Sequence, residues 1–249
     1  GDRKPIGSAY NLGRHIKDLV PPESLGPEAY KRALDQRGMK QAPTGVYDLV
    51  IENRVVPRFT GQLLRPLSGA ALQQKQSFFE GKKGKKVASK KLSITSDPHI
   101  VGGWASTAFD GEGMASSPLV LFEEGVLRNY FLDTYYASKL ATEATTGSPT
   151  NLIWSYGKRS CEDLVKSIKK GIFVTSFLGG NSNSATGDFS SGIKGFFVKK
   201  GRIKHPVSEM NVSGNHLEIW NNLVEVGNDP WLNSSNRAPS LRFQKVQCS

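Results

Sequence analysis

The sequence predicts an α+β domain, with a mostly antiparallel or mixed β-sheet or barrel-like framework and several packed helices. Three observations carry this expectation. Short runs of β-branched and aromatic residues recur between Gly, Asn and Lys turns. Helical stretches are scattered among them without the strand–helix alternation of a parallel α/β sheet. The 249 residues, 37% of them hydrophobic, suffice for a packed core in one large domain or two small ones.

The elements follow in order. Pro27 to Gly38 reads as a short helix, with Pro in its first turn and Gly past its end. The Pro43-Thr44-Gly45 turn opens a strand over Val46–Glu52. Phe59 to Phe79 reads as mostly helical, made irregular by Gly61, Pro66 and Gly69. Glu80 to Lys91 is a Lys-rich, Gly-punctuated loop. Strand-like runs follow at Lys91–Thr95, Leu119–Phe122, Val126–Leu132 and Leu152–Ser155, with Glu123-Glu124-Gly125 as a hairpin turn. Ser160 with Asp163 is an N-cap pattern for a helix ending near Gly171, because the hydroxyl accepts a free first-turn amide. Ile172–Leu178 is a strand, Gly179 to Ser191 a long loop, and Ile193–Val207 a hairpin about Lys199-Lys200-Gly201-Arg202. Asn215 to Gly227 reads as an amphipathic helix with Leu217, Trp220, Leu223 and Val224 on one face, and Ser240–Val246 as the closing strand.

Charge and cysteines bound the function. With 33 basic and 22 acidic residues the net charge is +11, which permits nucleic-acid or acidic-peptide contacts without dictating a fold. The Lys82–Lys91 run could contact phosphates, but no aromatics interleave with it, so a solvated loop is the plainer reading. No apolar run reaches the ~18 residues of a membrane helix. No secretory leader pattern opens the sequence. Cys161 and Cys248 therefore read as two thiols of a cytoplasmic protein, although one disulfide between them stays open. The sequence starts at Gly1-Asp2-Arg3 without Met, which leads us to expect a fragment lacking N-terminal material.

Site chemistry is sparse. No two of His15, His99, His205 and His216 share the helical spacing of a hydrolytic zinc pair. Gly187 is followed by Asp188, an acid that would repel phosphate from a Gly-rich cradle. There is no Gly-x-Ser-x-Gly elbow. Asp110-Gly111-Glu112-Gly113 supplies too few carboxylates for an EF-hand loop.

Several segments together resemble the TldD/PmbA family, once called modulators of DNA gyrase, and within it the PmbA (TldE) branch. They are Ala42-Pro43-Thr44-Gly45, Pro98-His99-Ile100 through Ala105-Ser106-Thr107-Ala108-Phe109-Asp110, Ala185-Thr186-Gly187-Asp188-Phe189-Ser190, Gly195-Phe196-Phe197-Val198, His205-Pro206-Val207-Ser208-Glu209-Met210 and Val226-Gly227-Asn228-Asp229. The resemblance implies that residues 41–249 form the family's C-terminal domain. Residues 1–40 would be a helical linker, the end of an absent N-terminal α/β domain. It implies a cytoplasmic heterodimer that trims unfolded peptides, among them an antibiotic precursor and an antitoxin, with a homodimer as the alternative assembly.

In that assembly the TldD-type subunit carries zinc, through His-Glu-x-x-x-His just after a Leu-Leu pair and a Cys near the C-terminus. Here Leu63-Leu64 is followed by Arg65 and Pro66, and Ala70 takes the second His position. Arg has no lone pair for zinc, Ala has no ligand, and Pro has no carboxylate to activate water. The region Trp231 to Pro239 lacks a Cys. The resemblance thus implies no metal and no catalytic residue in this chain, with zinc in a TldD-type partner. Ser106, Thr107 and Asp110 in one Gly-rich segment, and Thr186, Gly187, Asp188 and Phe189 in another, are the candidates for binding an extended peptide by strand addition. The competing readings are a nucleic-acid or gyrase-associated binder, suggested by charge and the older name, and a self-sufficient homodimeric module of other chemistry.

Overall fold

The computed structural model describes residues 5–249. In chain order they form α1 (Pro22–Leu34), β1 (Gly45–Ile51), α2 (Val56–Leu64), α3 (Gly69–Gln73), β2 (Ile94–Asp97), β3 (Leu119–Glu123), β4 (Val126–Leu127) and α4 (Thr134–Lys139). The series continues with β5 (Asn151–Trp154), α5 (Cys161–Lys166), β6 (Lys170–Ser182), β7 (Asp188–Lys199), β8 (Arg202–Asn215), α6 (His216–Ile219), β9 (Leu223–Val226) and β10 (Leu241–Cys248).

Five strands close into a barrel-like ring in the order β1-β6-β7-β8-β10, with β10 returning to β1. Strand direction must alternate around an all-antiparallel ring, so an odd number of strands cannot close that way. The ring resolves this with one parallel pair, β1 with β6, registered Asp48↔Gly171 to Ile51↔Val174. Closure is narrow at one seam: β8 meets β10 only at Ser213↔Gln247 and Val212↔Cys248, while β9 pairs with β10 farther along the same edge. Register shifts within β6–β7 at Val174/Ser176 and Phe177/Gly179 mark β-bulges that bend the long hairpin.

A parallel pair needs a crossover, and here that connection spans residues 52–169. It contains a second, antiparallel sheet in the order β4-β3-β2-β5. The two sheets share one core. Phe59 of α2 sits at its hub, stacked on Phe177 at 5.8 Å and Trp220 at 5.3 Å and edge-on to Phe243 at 5.9 Å. On the outer barrel wall Leu164 and Val165 of α5, with Ile168 just past its end, cover Val50 and Val198.

The predicted turns form for the expected reason. Glu124 and Gly125, and Lys200 and Gly201, all adopt positive φ, the geometry that matches a tight hairpin to strand twist. Ser160 and Asp163 form a reciprocal capping box. Other expectations need correction. The first helix begins at Pro22 and ends at Leu34, with Pro27 inside it; α1 buries no residue. The predicted helix over 59–79 is three pieces: α2, a 3-10 turn at Arg65–Leu67, and α3, followed by turns. The run at 126–132 is a strand only over its first two residues. Residues 179–191 are mostly strand, and the loop shrinks to 183–187. The helix expected over 215–227 lasts one turn and a 3-10 turn before becoming β9, because Leu223 and Val226 pair with β10.

Candidate functional site

The segment following Leu63-Leu64 is not one helix. Pro66 sits in the 3-10 turn, and Ser68 turns extended (ψ 145°) while its hydroxyl caps α3 by accepting from Ala71 N. The Gly69 amide leaves the helical ladder to donate to Phe131 O at 2.8 Å. A Cβ at Gly69 would lie 2.5 Å from the Tyr136 side chain, so α4 packs against bare backbone there. Arg65 is exposed, Pro66 is buried and Ala70 is half-buried. None offers a lone pair, and the break separates positions 65 and 66 from 70. Among the described residues no group of three His, Cys, Asp or Glu side chains is placed to hold a metal ion. The residues at this position do not fit a zinc ion. Both thiols are free; burial pushes Cys161 up to about 11 and Cys248 up to about 12, so neither is a thiolate near neutrality.

Around the 183–187 turn, Thr186, Asp188 and Asn215 meet. Asp188 accepts from the Thr186 hydroxyl at 2.7 Å and from Asn215 Nδ2 at 2.9 Å, which hold its carboxyl below the ordinary range. Asn215 Nδ2 also donates to Thr186 O, and His216 N donates to Gly187 O at 2.8 Å. Gly187 has φ +86° and is buried. Phe189 points into the core, 5.6 Å from Phe59 and 4.7 Å from His216. This group is a locked turn.

The other candidate segment forms a second knot. Asn151 Nδ2 donates to Ser106 Oγ and to Asp97 O, both at 2.9 Å, and its Oδ1 accepts from Ala105 N. The Thr107 hydroxyl donates to Phe109 O. Asp110 Oδ1 accepts from Glu112 N and Met114 N, while Glu112 accepts from both the amide and hydroxyl of Thr134. Asp110 therefore closes its own turn and Glu112 ties the segment to the start of α4; each has its own partners. The hydrogen bonds given above for the Ser106 group and for the Thr186 group stay within each group.

Asn151, Asn215 and His216 organise these knots, a role that the sequence reading did not give them. His216 is fully buried and looks at first like half of a Ser–His dyad, with Nε2 3.1 Å from Ser182 Oγ. Its Nδ1, however, accepts from Trp220 Nε1 at 3.3 Å, so the ring proton resides on Nε2 and donates to Ser182. An imidazole holding that tautomer cannot take the serine proton. Burial lowers its pKa to about 4, keeping it neutral.

One strand edge stands open. β1 covers β6 only over Gly171–Val174; beyond it β6 has β7 on one side and, among the described residues, no strand on the other. Arg58 Nη1 donates to Phe177 O on that stretch. Beside it a cleft of about 900 Å³ separates α1 from the barrel wall, lined by Arg32, Glu52, Phe173, Leu178 and His205 among others. Glu52 holds Arg32 at 3.2 Å and Arg54 at 3.1 Å across its floor.

Residues 44–249 match the model of the PmbA/TldA metallopeptidase C-terminal domain. The metalloprotease PmbA of Escherichia coli O157:H7 is 32% identical over 241 residues, 96% of this chain and 54% of that protein. A Buchnera aphidicola metalloprotease PmbA homolog is 31% identical, with the same coverage. The chain thus spans about half the length of the curated relatives it matches. A crystal structure from Bacteroides thetaiotaomicron, whose name proposes a modulator of DNA gyrase, superposes with a TM-score of 0.93 at 42% identity over 95% of this chain and 54% of its own. TldE from Thermococcus kodakarensis shares the fold, with a TM-score of 0.82 at 23% identity over 91% of this chain and 55% of its own. The match over most of its length and the shared barrel show that the chain belongs to the PmbA/TldD metallopeptidase family.

Proposed function

We propose that this chain is part of a metal-free, PmbA/TldE-type subunit of a cytoplasmic, two-subunit peptide-processing metalloprotease. Zinc and the general base would reside in a TldD-type partner. The observation that carries this reading is the broken segment at Arg65, Pro66 and Ala70, where neither side chains nor backbone suit a metal helix. Relatives named metalloprotease PmbA and metalloprotease TldD homolog support a protease context.

The chain's own contribution would be to bind and extend unfolded peptide. Beyond Val174 the edge of β6 has no neighbouring strand among the described residues, and an extended peptide could add there through main-chain hydrogen bonds that a folded chain cannot offer. Ser106, Thr107 and Asp110, with Thr186, Gly187 and Asp188, would shape the rim, and Phe189 would support it from the core.

The test is metal analysis and cleavage of an unfolded peptide by the intact protein, with and without a TldD-type partner from the same cell. The expected result is no zinc and no cleavage alone, with cleavage on mixing. Stoichiometric zinc, or chelator-sensitive cleavage by this chain alone, would overturn the proposal.

A further inference from the structure

The Lys-rich stretch 82–91 is not a loose loop. Tyr130 Oη accepts from Lys82 N and Lys83 N and donates to Phe79 O at 2.6 Å. Gly84 N donates to Leu127 O at 2.7 Å, and Leu127 N to Lys85 O at 3.0 Å. Lys86 bridges Val126, and the amides of Val87 and Ala88 both reach Gly125 O. The stretch is therefore a pinned strap along the β4 edge of the second sheet, with Lys85 and Lys86 exposed on it.

Next to the strap lies a groove of about 1040 Å³, with Thr95, Val120 and Val126 of the sheet among its lining. Five cations and three acids line it. Arg128 is held by Glu123 at 2.8 Å, and Arg159 by Glu225 at 3.2 Å. Lys90, Lys91 and Lys158 are exposed and have no ion-pair partner among the described residues; Glu124 is the one unpaired acid.

We infer that strap and groove form a docking surface for an acidic, extended polypeptide segment. Charge complementarity selects the occupant: unpaired ammonium groups flank half-exposed apolar floor residues, a pattern suited to carboxylates alternating with small apolar side chains. Glu124 is the one unpaired acid of the lining: a peptide whose carboxylates alternate with neutral side chains can set a neutral residue opposite it, whereas a phosphate backbone carries a charge at every step. Pinning the strap's backbone lowers the ordering cost of binding. The surface would deepen the proposed function by biasing the unfolded peptides that are held. It rests on that reading only for the identity of the chain that docks.

Fluorescence anisotropy of the intact protein would use three disordered peptides of equal length: Glu/Val-alternating, Gln/Val-alternating and Lys/Val-alternating. A single-stranded oligonucleotide of the same net charge as the acidic peptide completes the set. The acidic peptide should bind roughly tenfold tighter than the neutral one at low ionic strength, and the gap should close as salt rises. K85E/K86E on the strap, and K90E/K91E and K158E in the groove, should each erode the preference, whereas K17E, on neither, should not. Equal binding of acidic and neutral peptides overturns the inference. So does tighter, variant-sensitive binding of the oligonucleotide, which would make this a nucleic-acid surface. Partner-dependent cleavage that ignores peptide charge defeats this inference and leaves the proposed function standing; an acidic preference without partner-dependent cleavage does the reverse.

Discussion

His216 shows how one buried side chain can make the fold pH-sensitive without doing chemistry. In the unfolded chain it titrates near 6.5, and in the fold at about 4. Above pH 6.5 it is neutral in both states and adds no pH dependence. As pH falls from about 6.5 toward about 4 the unfolded state takes a proton that the folded state refuses. Stability should therefore drop across that window, by on the order of 3 kcal/mol at its lower end. Urea midpoints measured across this range should fall in the parent and less so in His216→Gln; parallel curves would refute the assignment. Phe59, one ring away at 5.7 Å, ties barrel aromatics Phe177, Phe189 and Phe243 to Trp220 through a single side chain. Phe59→Ala should cost about 3–5 kcal/mol by chemical denaturation, the range for an uncollapsed cavity. A loss under about 1 kcal/mol would mean that the core repacks around the gap.

Elements set by local chemistry were legible in the sequence, and elements set by distant partners were not. The Ser160–Asp163 box could be read because cap and acceptor are three residues apart. Ser160→Ala should cost about 1 kcal/mol, measured by thermal or urea unfolding, and an unchanged midpoint would mean that tertiary packing alone holds α5. The turns at Glu124-Gly125 and Lys200-Gly201 were legible for the same reason, since positive φ has few residue solutions. Residues 215–227 misled because Leu217, Trp220 and Leu223 fit a helical stripe equally well. Pairing of β9 with β10, a contact the segment does not encode alone, decides its second half. The Gly-rich stretch 179–191 read as loop because glycine weakens any strand signal. Gly195 shows what that smallness supplies elsewhere on the hairpin: a Cβ there would lie 1.9 Å from Phe173 O. The candidate rim residues came from resemblance, while the asparagines that lock them act through tertiary contacts that no spacing reveals.

At the scale of the molecule, the barrel's weakest seam is β8–β10. Two register pairs and mutual Asn211–Ser249 backbone hydrogen bonds hold it, against eleven register pairs between β6 and β7. Hydrogen exchange at Asn211 and Ser249 should outpace exchange at Ile172 and Val174 by orders of magnitude, reporting local opening short of global unfolding. Equal protection would mean that the ring opens only as a unit. The same ring order governs how the chain can be made. β1 is paired on one side by β6 and on the other by β10, with Gly45 meeting Cys248 about two hundred residues later. During vectorial synthesis on a ribosome, β1 emerges long before either neighbour exists, and its outer edge waits for β10. Barrel closure thus comes late in the order of synthesis, because it waits for β10. A nascent chain stalled before residue 241 would present a sticky strand edge to every other such chain nearby.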